Sequence, residues 1–252
     1  MKKVLSTLSF AVALSIPINA DIVKVEMGAG AWTQKPKGSA YYNGSSTIGG
    51  SDALNEDKDT SPYIWAFIKH PIPIIPNIRL EYTSVSQKGK ATGQWEGSTI
   101  SVGTTSQSTL DIKQYDIIPY YNLLDNTFWM TLDLGIDVKM IDFDYKIEQM
   151  TGFSGYAYQT IVPIPMAYLR ARVEIPVTNI ALEADAKYVG YGESHFYDAR
   201  VKVDFTLNIF PTVQPALEVG YRVQKIKIDE STVDVRTDID FAGMYAGLML
   251  RF

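Results

Sequence analysis

The 252-residue chain contains no cysteine. That excludes a disulfide framework, a thiolate zinc site, a cysteine nucleophile and a lipidated N-terminal cysteine. Two histidines are too few for a multi-histidine metal centre. Beyond the first twenty residues no run reaches 18 consecutive apolar residues, which excludes a helical membrane span. Positive charge is also scarce. Lys and Arg number 23 against 28 Asp and Glu, a net charge of −5, whereas a nucleic-acid binder carries a basic face. Phosphate-loop, nucleotide-fingerprint and zinc-protease motifs are missing. What is present is an ordinary folding composition, 46% apolar and 20% charged, outside the range of disordered chains.

The chain starts with a short basic Met1-Lys2-Lys3, followed by an apolar Val4 to Ile18 that ends Pro17-Ile18-Asn19-Ala20. This reads as a secretory signal over residues 1–20, cleaved after Ala20. It is too short to span a membrane, and Pro17 breaks its end. Residues 21–252 then form the mature chain, with 21 basic and 28 acidic residues and a net charge of −7. An exported chain without cysteine fits a Gram-negative envelope better than a fluid where small domains lean on disulfides.

The mature chain alternates with period two. From Phe128 to Met140 every even position is large and apolar, while Thr131, Asp133, Asp137 and Lys139 fall on the odd ones. Successive strand side chains point to opposite faces, so this is a strand with one oily and one polar face. The pattern recurs, and ten strands are expected near 22–32, 62–70, 78–87, 109–121, 128–147, 158–174, 180–189, 197–208, 216–228 and 238–252. Two segments are less regular. Residues 63–68 carry Tyr63, Trp65 and Phe67 on one face but Ile64, Ala66 and Ile68 on the other. Residues 110–121 change phase near Lys113, and a second slip after Met140 suggests a bulge. Connections alternate too. Those at 33–61, 88–108, 148–157, 190–196 and 229–237 read as long or polar; those at 71–77, 122–127, 175–179 and 209–215 read as short. An even strand number with long loops at one end and short turns at the other is the layout of an outer-membrane barrel. The expected fold is all-β: a single antiparallel up-and-down transmembrane barrel of ten strands.

Alternation does not say which face points inward, because a lipocalin-type barrel has its oily face inside. The polar faces carry ten basic residues: Lys24, Arg79, Lys139, Arg170, Arg172, Lys187, Arg200, Lys202, Arg222 and Arg251. They also carry ten acidic ones: Glu26, Glu81, Asp116, Asp133, Asp137, Glu174, Glu183, Asp185, Asp204 and Glu218. A balanced set suits mutual pairing in a narrow lumen, since an unpaired buried charge costs several kcal/mol. The oily faces run about 9–11 residues, enough for a tilted strand to cross hydrocarbon. Tyr121, Phe128 and Phe252 gather at the short-turn end, and Tyr82 and Tyr188 near the loop end, as interfacial girdles do. These features favour the membrane orientation.

The stretch His70-Pro71-Ile72-Pro73-Ile74-Ile75-Pro76-Asn77-Ile78-Arg79-Leu80-Glu81-Tyr82 resembles the second turn of an uncharacterised family of Gram-negative outer-membrane β-barrel proteins. Leu124-Asp125-Asn126, Tyr168 to Arg172, Glu218 to Arg222 and Asp240 to Gly247 are similar to that family as well. The resemblance covers nearly all of the mature chain. It implies an outer-membrane location and brings no activity or site residues. The terminal Phe252 resembles the signal read by the barrel-assembly machinery of outer-membrane proteins in general. That machinery, and outer-membrane lipid with its lipopolysaccharide, are the expected partners; no nucleic acid is. The prolines at 71, 73 and 76 read as a rigid turn, since they lack an amide N–H.

Candidate chemistry is thin, and no cofactor, metal or catalytic set is expected. Gly28-Ala29-Gly30 has no third glycine; it reads as room for side chains crossing from the facing wall. His195, in Glu193-Ser194-His195, together with Asp142 and Asp144, resembles in outline the His-Asp and paired-carboxylate walls of omptin proteases. A Ser-His-Glu set would alternatively attack a lipid A ester. A lone loop histidine is ordinarily solvated. Acidic residues Glu56, Asp57, Asp59, Asp229, Glu230, Asp234, Asp238 and Asp240 read as a solvated rim, with divalent-cation binding as the alternative. The residues expected to matter form a lumen charge network: Arg79, Glu81, Asp133, Asp137, Arg170, Arg172, Glu183, Asp185, Arg200, Lys202, Asp204, Glu218 and Arg222. Small barrels fill their interior with side chains, so a largely plugged lumen is expected. The expected role is structural or interactive at the cell surface. A narrow channel for ions or small solutes is the second reading, and a surface hydrolase the third.

Overall fold

The period-two stretches fold as long antiparallel strands, because each buries its polar side chains against the others and turns its apolar side chains away. The computed structural model describes residues 23–35, 37–42, 46–48, 59–91, 93–95, 98–100, 106–147, 156–210, 212–228 and 235–252. The expected leader lies outside the described residues. In chain order the strands are β1 (Lys24–Gln34), β2 (Lys37–Tyr42), β3 (Ser46–Ile48), β4 (Asp59–Lys69), β5 (Asn77–Ala91), β6 (Gly93–Trp95) and β7 (Ser98–Ile100). They continue as β8 (Ser106–Thr127), β9 (Met130–Ile147), β10 (Tyr156–Glu174), β11 (Ile180–Tyr191), β12 (Ser194–Thr206), β13 (Gln214–Ile228) and β14 (Val235–Arg251).

Ten of them form the wall in the order β1, β4, β5, β8, β9, β10, β11, β12, β13, β14. The wall closes where β1 pairs with β14, from Glu26 opposite Arg251 to Trp32 opposite Tyr245. The fold is thus a closed, ten-stranded antiparallel barrel, as the alternation predicts. The short β2 continues the sheet above the start of β14, and β3, β6 and β7 follow it.

The phase of each strand is visible in its burial. On β12 Asp198, Arg200, Lys202 and Asp204 are buried, while Val201, Val203 and Phe205 are exposed. The same division on β9 buries Asp133, Asp137 and Lys139 and exposes Leu134, Ile136 and Val138. The apolar band therefore lies on the outside of the barrel and the ionic side chains on the inside. A soluble barrel would have the opposite arrangement.

Four expectations need correction. First, residues 190–196 are not a long loop. β11 and β12 run into each other through Gly192 and Glu193, with Gly192 at φ 58°, and Tyr191 pairs with Ser194. Second, no bulge follows Met140. β9 keeps one register with β10 from Tyr156 opposite Ile147 to Val173 opposite Met130. The apparent slip arises because Ile141 faces inward as a buried lumen side chain. The irregularity lies instead in β8, between Asn122 and Thr127. Third, β8 does not change phase near Lys113: Ile112, Gln114, Asp116, Ile118 and Tyr120 are all buried, and two of them happen to be isoleucine. Fourth, the side chains lying over Gly28 and Gly30 come from the neighbouring strand β4, not the facing wall. A Cβ on Gly28 would sit 2.5 Å from the Trp65 ring, and one on Gly30 2.6 Å from Tyr63 Oη.

The proline turn between β4 and β5 is held by its ends. His70 N–H donates to Asn77 Oδ1 at 3.0 Å, and the His70 Nδ1 accepts from Ile72 N–H at 3.2 Å. That leaves Nε2–H to donate to Pro76 O at 3.1 Å. The histidine thus bonds both sides of a turn whose prolines offer no N–H of their own.

Candidate functional site

The lumen is built from inward-facing side chains of the whole wall. Buried there are eight basic residues, Arg79, Lys139, Arg170, Arg172, Lys187, Arg200, Lys202 and Arg222. Nine acidic residues face them: Glu81, Asp116, Asp133, Asp137, Glu183, Asp185, Asp198, Asp204 and Glu218. Ions out of water are tolerated only with close partners and satisfied hydrogen bonds, and the pairs here are close.

Toward the short-turn end, Arg170 bridges Asp133 at 2.7 Å and Glu183 at 2.6 Å. Asp133 also accepts from Asn122 Nδ2 at 2.5 Å. Arg172 makes a two-pronged contact with Asp204, at 2.5 and 3.1 Å, and Arg251 reaches the same carboxylate at 2.8 Å. At mid-height Arg200 grips Asp185 at 2.8 Å and crosses to Glu81 at 2.6 Å. Arg79 pairs with Glu81 on its own strand. Lys187 donates to Glu81 at 2.8 Å and to Asp116 at 3.1 Å, and lies 3.5 Å from Asp137. Lys202 lies between Glu218 at 3.0 Å and Glu183 at 3.3 Å. Toward the loop end Lys139 pairs with Asp116 and, at 3.3 Å, with Asp198. Arg222 clasps Asp198 at 2.6 and 2.9 Å and donates to Thr83 at 2.9 Å. Gln114 and Gln224 complete this layer with reciprocal bonds of 2.9 and 2.7 Å.

All thirteen residues of the expected network are thus placed in the lumen, each with an ionic partner within 4 Å. Asp137 is the most loosely held, with Lys187 at 3.5 Å and no hydrogen bond to its carboxylate among the described residues. The sequence reading left Asp198 out, although it lies one alternation step before Arg200 and holds two cations. It also left out the aromatic half of the interior. Trp32, Tyr63, Trp65, Phe67, Tyr120, Tyr168, Phe196, Phe241 and Tyr245 are buried together. Cations lie against these rings: Arg79 is 4.3 Å from the Phe67 centroid, Arg170 4.5 Å from the same ring, Lys202 4.7 Å from Trp65 and Arg222 4.7 Å from Trp32. Desolvated contacts of this kind add up to about 2 kcal/mol each. Tyr63 Oη and Trp65 Nε1 both donate to Glu218 Oε1, at 2.7 and 3.0 Å, tying the aromatic side to the ionic side.

Little space remains. The gap at the centre, between Arg79, Arg200, Glu218 and the surrounding rings, is about 10 Å³, the volume of one water-sized probe. At the short-turn end the lumen widens into a mouth of about 130 Å³.

The residues proposed for hydrolysis are not assembled. On β12 Phe196 and Asp198 face the lumen, so His195 and Tyr197 face outward, and their rings stack at 6.4 Å. On β9 Ile141 faces in, so Asp142 and Asp144 face out, where they bond Gln159 at 3.4 Å and Lys146 at 2.7 Å. β10 and β11 lie between the two groups. Among the acidic rim residues, Asp238 and Asp240 pair with Lys225 at 2.9 and 3.2 Å. Glu56, Asp57, Asp229, Glu230 and Asp234 lie outside the described residues. No group of metal-ligating side chains occurs among the described residues.

No protein-family model matches the chain, and no curated protein matches it. Solved structures do. The crystal structure of the outer membrane protease OmpT from Escherichia coli superposes with a TM-score of 0.55 at 13% identity, over 95% of this chain and 100% of that one. The translocator domain of the autotransporter NalP from Neisseria meningitidis gives 0.47 at 10% identity, over 96% and 93%. The Neisserial surface protein A gives 0.32 at 13% identity, over 91% and 97%. At such identities the likeness to OmpT is one of fold alone, and the fold of this chain is that of an outer-membrane β-barrel.

Proposed function

We propose that the protein is an integral barrel of the Gram-negative outer membrane whose ion-paired lumen serves as a rigid core. Its role is structural or interactive at the cell surface, carried by the long connections after β1 and β5. The apolar exterior and the fold shared with OmpT support the location. The observation that carries the plugged reading is the central gap of about 10 Å³, closed by crossing pairs such as Arg200 with Glu81. A channel would need a continuous polar path, which larger barrels leave and this one fills. Purified protein in a planar bilayer is expected to show no unitary conductance steps; regular steps would return the narrow-channel reading.

The same proposal holds that the protein is not an enzyme. His195 stacks on Tyr197 on the outer face and makes no ion pair with a carboxylate among the described residues. Purified protein is expected to cleave neither peptides nor lipid A esters, and activity lost in His195→Ala would overturn this. Phe252 is proposed as the assembly signal, with the barrel-assembly machinery and lipopolysaccharide as partners. Its replacement by Ser is expected to lower the assembled fraction in cells without changing the spectrum of protein refolded in detergent.

A further inference from the structure

The mouth at the short-turn end has donors with nothing to donate to. Tyr120 is 3% exposed and lines this cavity, and its hydroxyl, open to the space, makes no hydrogen bond among the described residues. Lys24 lines the same cavity without an ion pair among them. Deeper in the wall of the mouth, Arg170 Nε also lacks an acceptor. The acidic residues around the opening are all engaged: Asp125 with Lys69 at 2.5 Å, Glu174 with Arg172 at 3.5 Å and Glu26 with Arg251 at 3.5 Å. Donors open to the cavity, beside carboxylates that each already have a cation, favour a ligand that brings oxygens and negative charge. The volume of about 130 Å³, against about 10 Å³ for the central gap, admits one compact oxyanion.

The surroundings narrow the class. Asn126 and Thr131 in the lining belong to the β8–β9 hairpin, whose tip is Phe128 and Trp129, exposed by 84% and 56%. Both sit at positive φ, 52° and 62°, where bulky residues are rarely found. Beside them the β4–β5 turn presents Ile74, exposed by 86%, and Tyr121 Oη holds the Ile74 carbonyl at 2.9 Å. A strained tip that keeps two aromatics outside the wall, next to a mouth with free donors, matches an amphiphile with a polar head and apolar tails.

We propose that this mouth binds a single phosphate group, carried by a phospholipid headgroup or arriving as free phosphate. The placement of the mouth at the periplasmic leaflet rests on the outer-membrane reading above. Lys24 and Tyr120 are the ligand-binding side chains, Arg170 adds positive charge beneath them, and Phe128 with Trp129 receives acyl chains when the source is a lipid.

The test uses the full mature chain in dodecyl maltoside, followed by ³¹P NMR while dihexanoylphosphatidylglycerol or inorganic phosphate is titrated. Both probes are expected to bind saturably, and Lys24→Gln and Tyr120→Phe each to weaken binding about tenfold, the loss of one bond to a charged group. Phe128→Ser with Trp129→Ser separates the sources. Weakened lipid binding with phosphate binding intact assigns the headgroup, and unchanged binding of both assigns free phosphate; either supports the site. Absence of saturable binding to the wild type overturns the proposal, as does binding undiminished in both polar variants. Folding of each variant is checked by its different mobility before and after boiling, and Lys24, exposed at the rim, keeps the test valid if Tyr120→Phe fails to fold. Failure of the outer-membrane reading shows separately, as protein that does not sediment with membranes.

Discussion

Arg200 on β12 donates to Glu81 on β5 across the interior at 2.6 Å, although 119 residues separate them in the chain. On its own side Arg200 also holds Asp185 of β11, its cross-strand neighbour, at 2.8 Å. One guanidinium therefore fastens neighbouring strands and opposite walls together. Its planar fork allows this, where a lysine ammonium would offer a single point of charge.

Removing that fork leaves buried carboxylates short of a partner. Arg200→Leu is expected to destabilise the barrel by about 3–5 kcal/mol, the usual effect of breaking a buried pair from one side. Urea unfolding in detergent measures it. Adding Glu81→Gln should recover part of the loss, and a double-mutant cycle with no coupling would contradict the crossing contact.

The plug has a corresponding functional test. Arg79 and Arg200 both border the central gap of about 10 Å³. Truncating both to alanine is expected to join that gap to the mouth below and to produce small, cation-favouring conductance steps in planar bilayers, because the carboxylates they held remain. A silent double variant that is still folded would mean that other side chains close the path.

Closure of the wall depends on glycine. A Cβ on Gly247 would sit 2.4 Å from Tyr63 Oη and 2.5 Å from the Ala29 carbonyl oxygen, at the β1–β14 seam. Gly247→Val is expected to lower the yield of folded, heat-modifiable barrel by well over half. Gly192→Ala has nothing within 4 Å to meet and should fold, losing only about 1 kcal/mol to its positive φ.

The β8–β9 tip provides a trade-off. Phe128→Asn with Trp129→Gly supplies the residues a two-residue turn with positive φ prefers. The double variant is expected to gain about 1 kcal/mol of stability in urea and to partition less strongly into phospholipid vesicles. A loss of stability would show that the aromatics pack against the wall instead.

The strands were legible because polar and apolar residues alternate cleanly on most of them. Arg200, Lys202 and Asp204 against Val201, Val203 and Phe205 admit one pairing of faces. The charge network was legible for the same reason; Asp198 lies within the strand expected at 197–208 and in phase with Arg200, so the same alternation also marks it as a lumen residue. The aromatic half was not legible. On β4 Tyr63, Trp65 and Phe67 alternate with Ile64, Ala66 and Ile68, so both faces look oily, and hydrophobicity alone cannot tell a ring that packs on Arg79 from one that meets lipid. Ile112, Ile118 and Ile141 misled for the same reason. The tight turn at Gly192 was hidden by the polar residues around it, which resemble a loop. Nothing in composition marks the mouth, whose members come from five strands.

The two-residue reversal at Gly192 and Glu193 also shapes the outer rim. β8 and β9 reach Ser106 and Ile147, whereas β11 and β12 end at Tyr191 and Ser194. The rim is therefore a low sill on one flank. A molecule sliding along the membrane plane meets that flank with only two residues overhead.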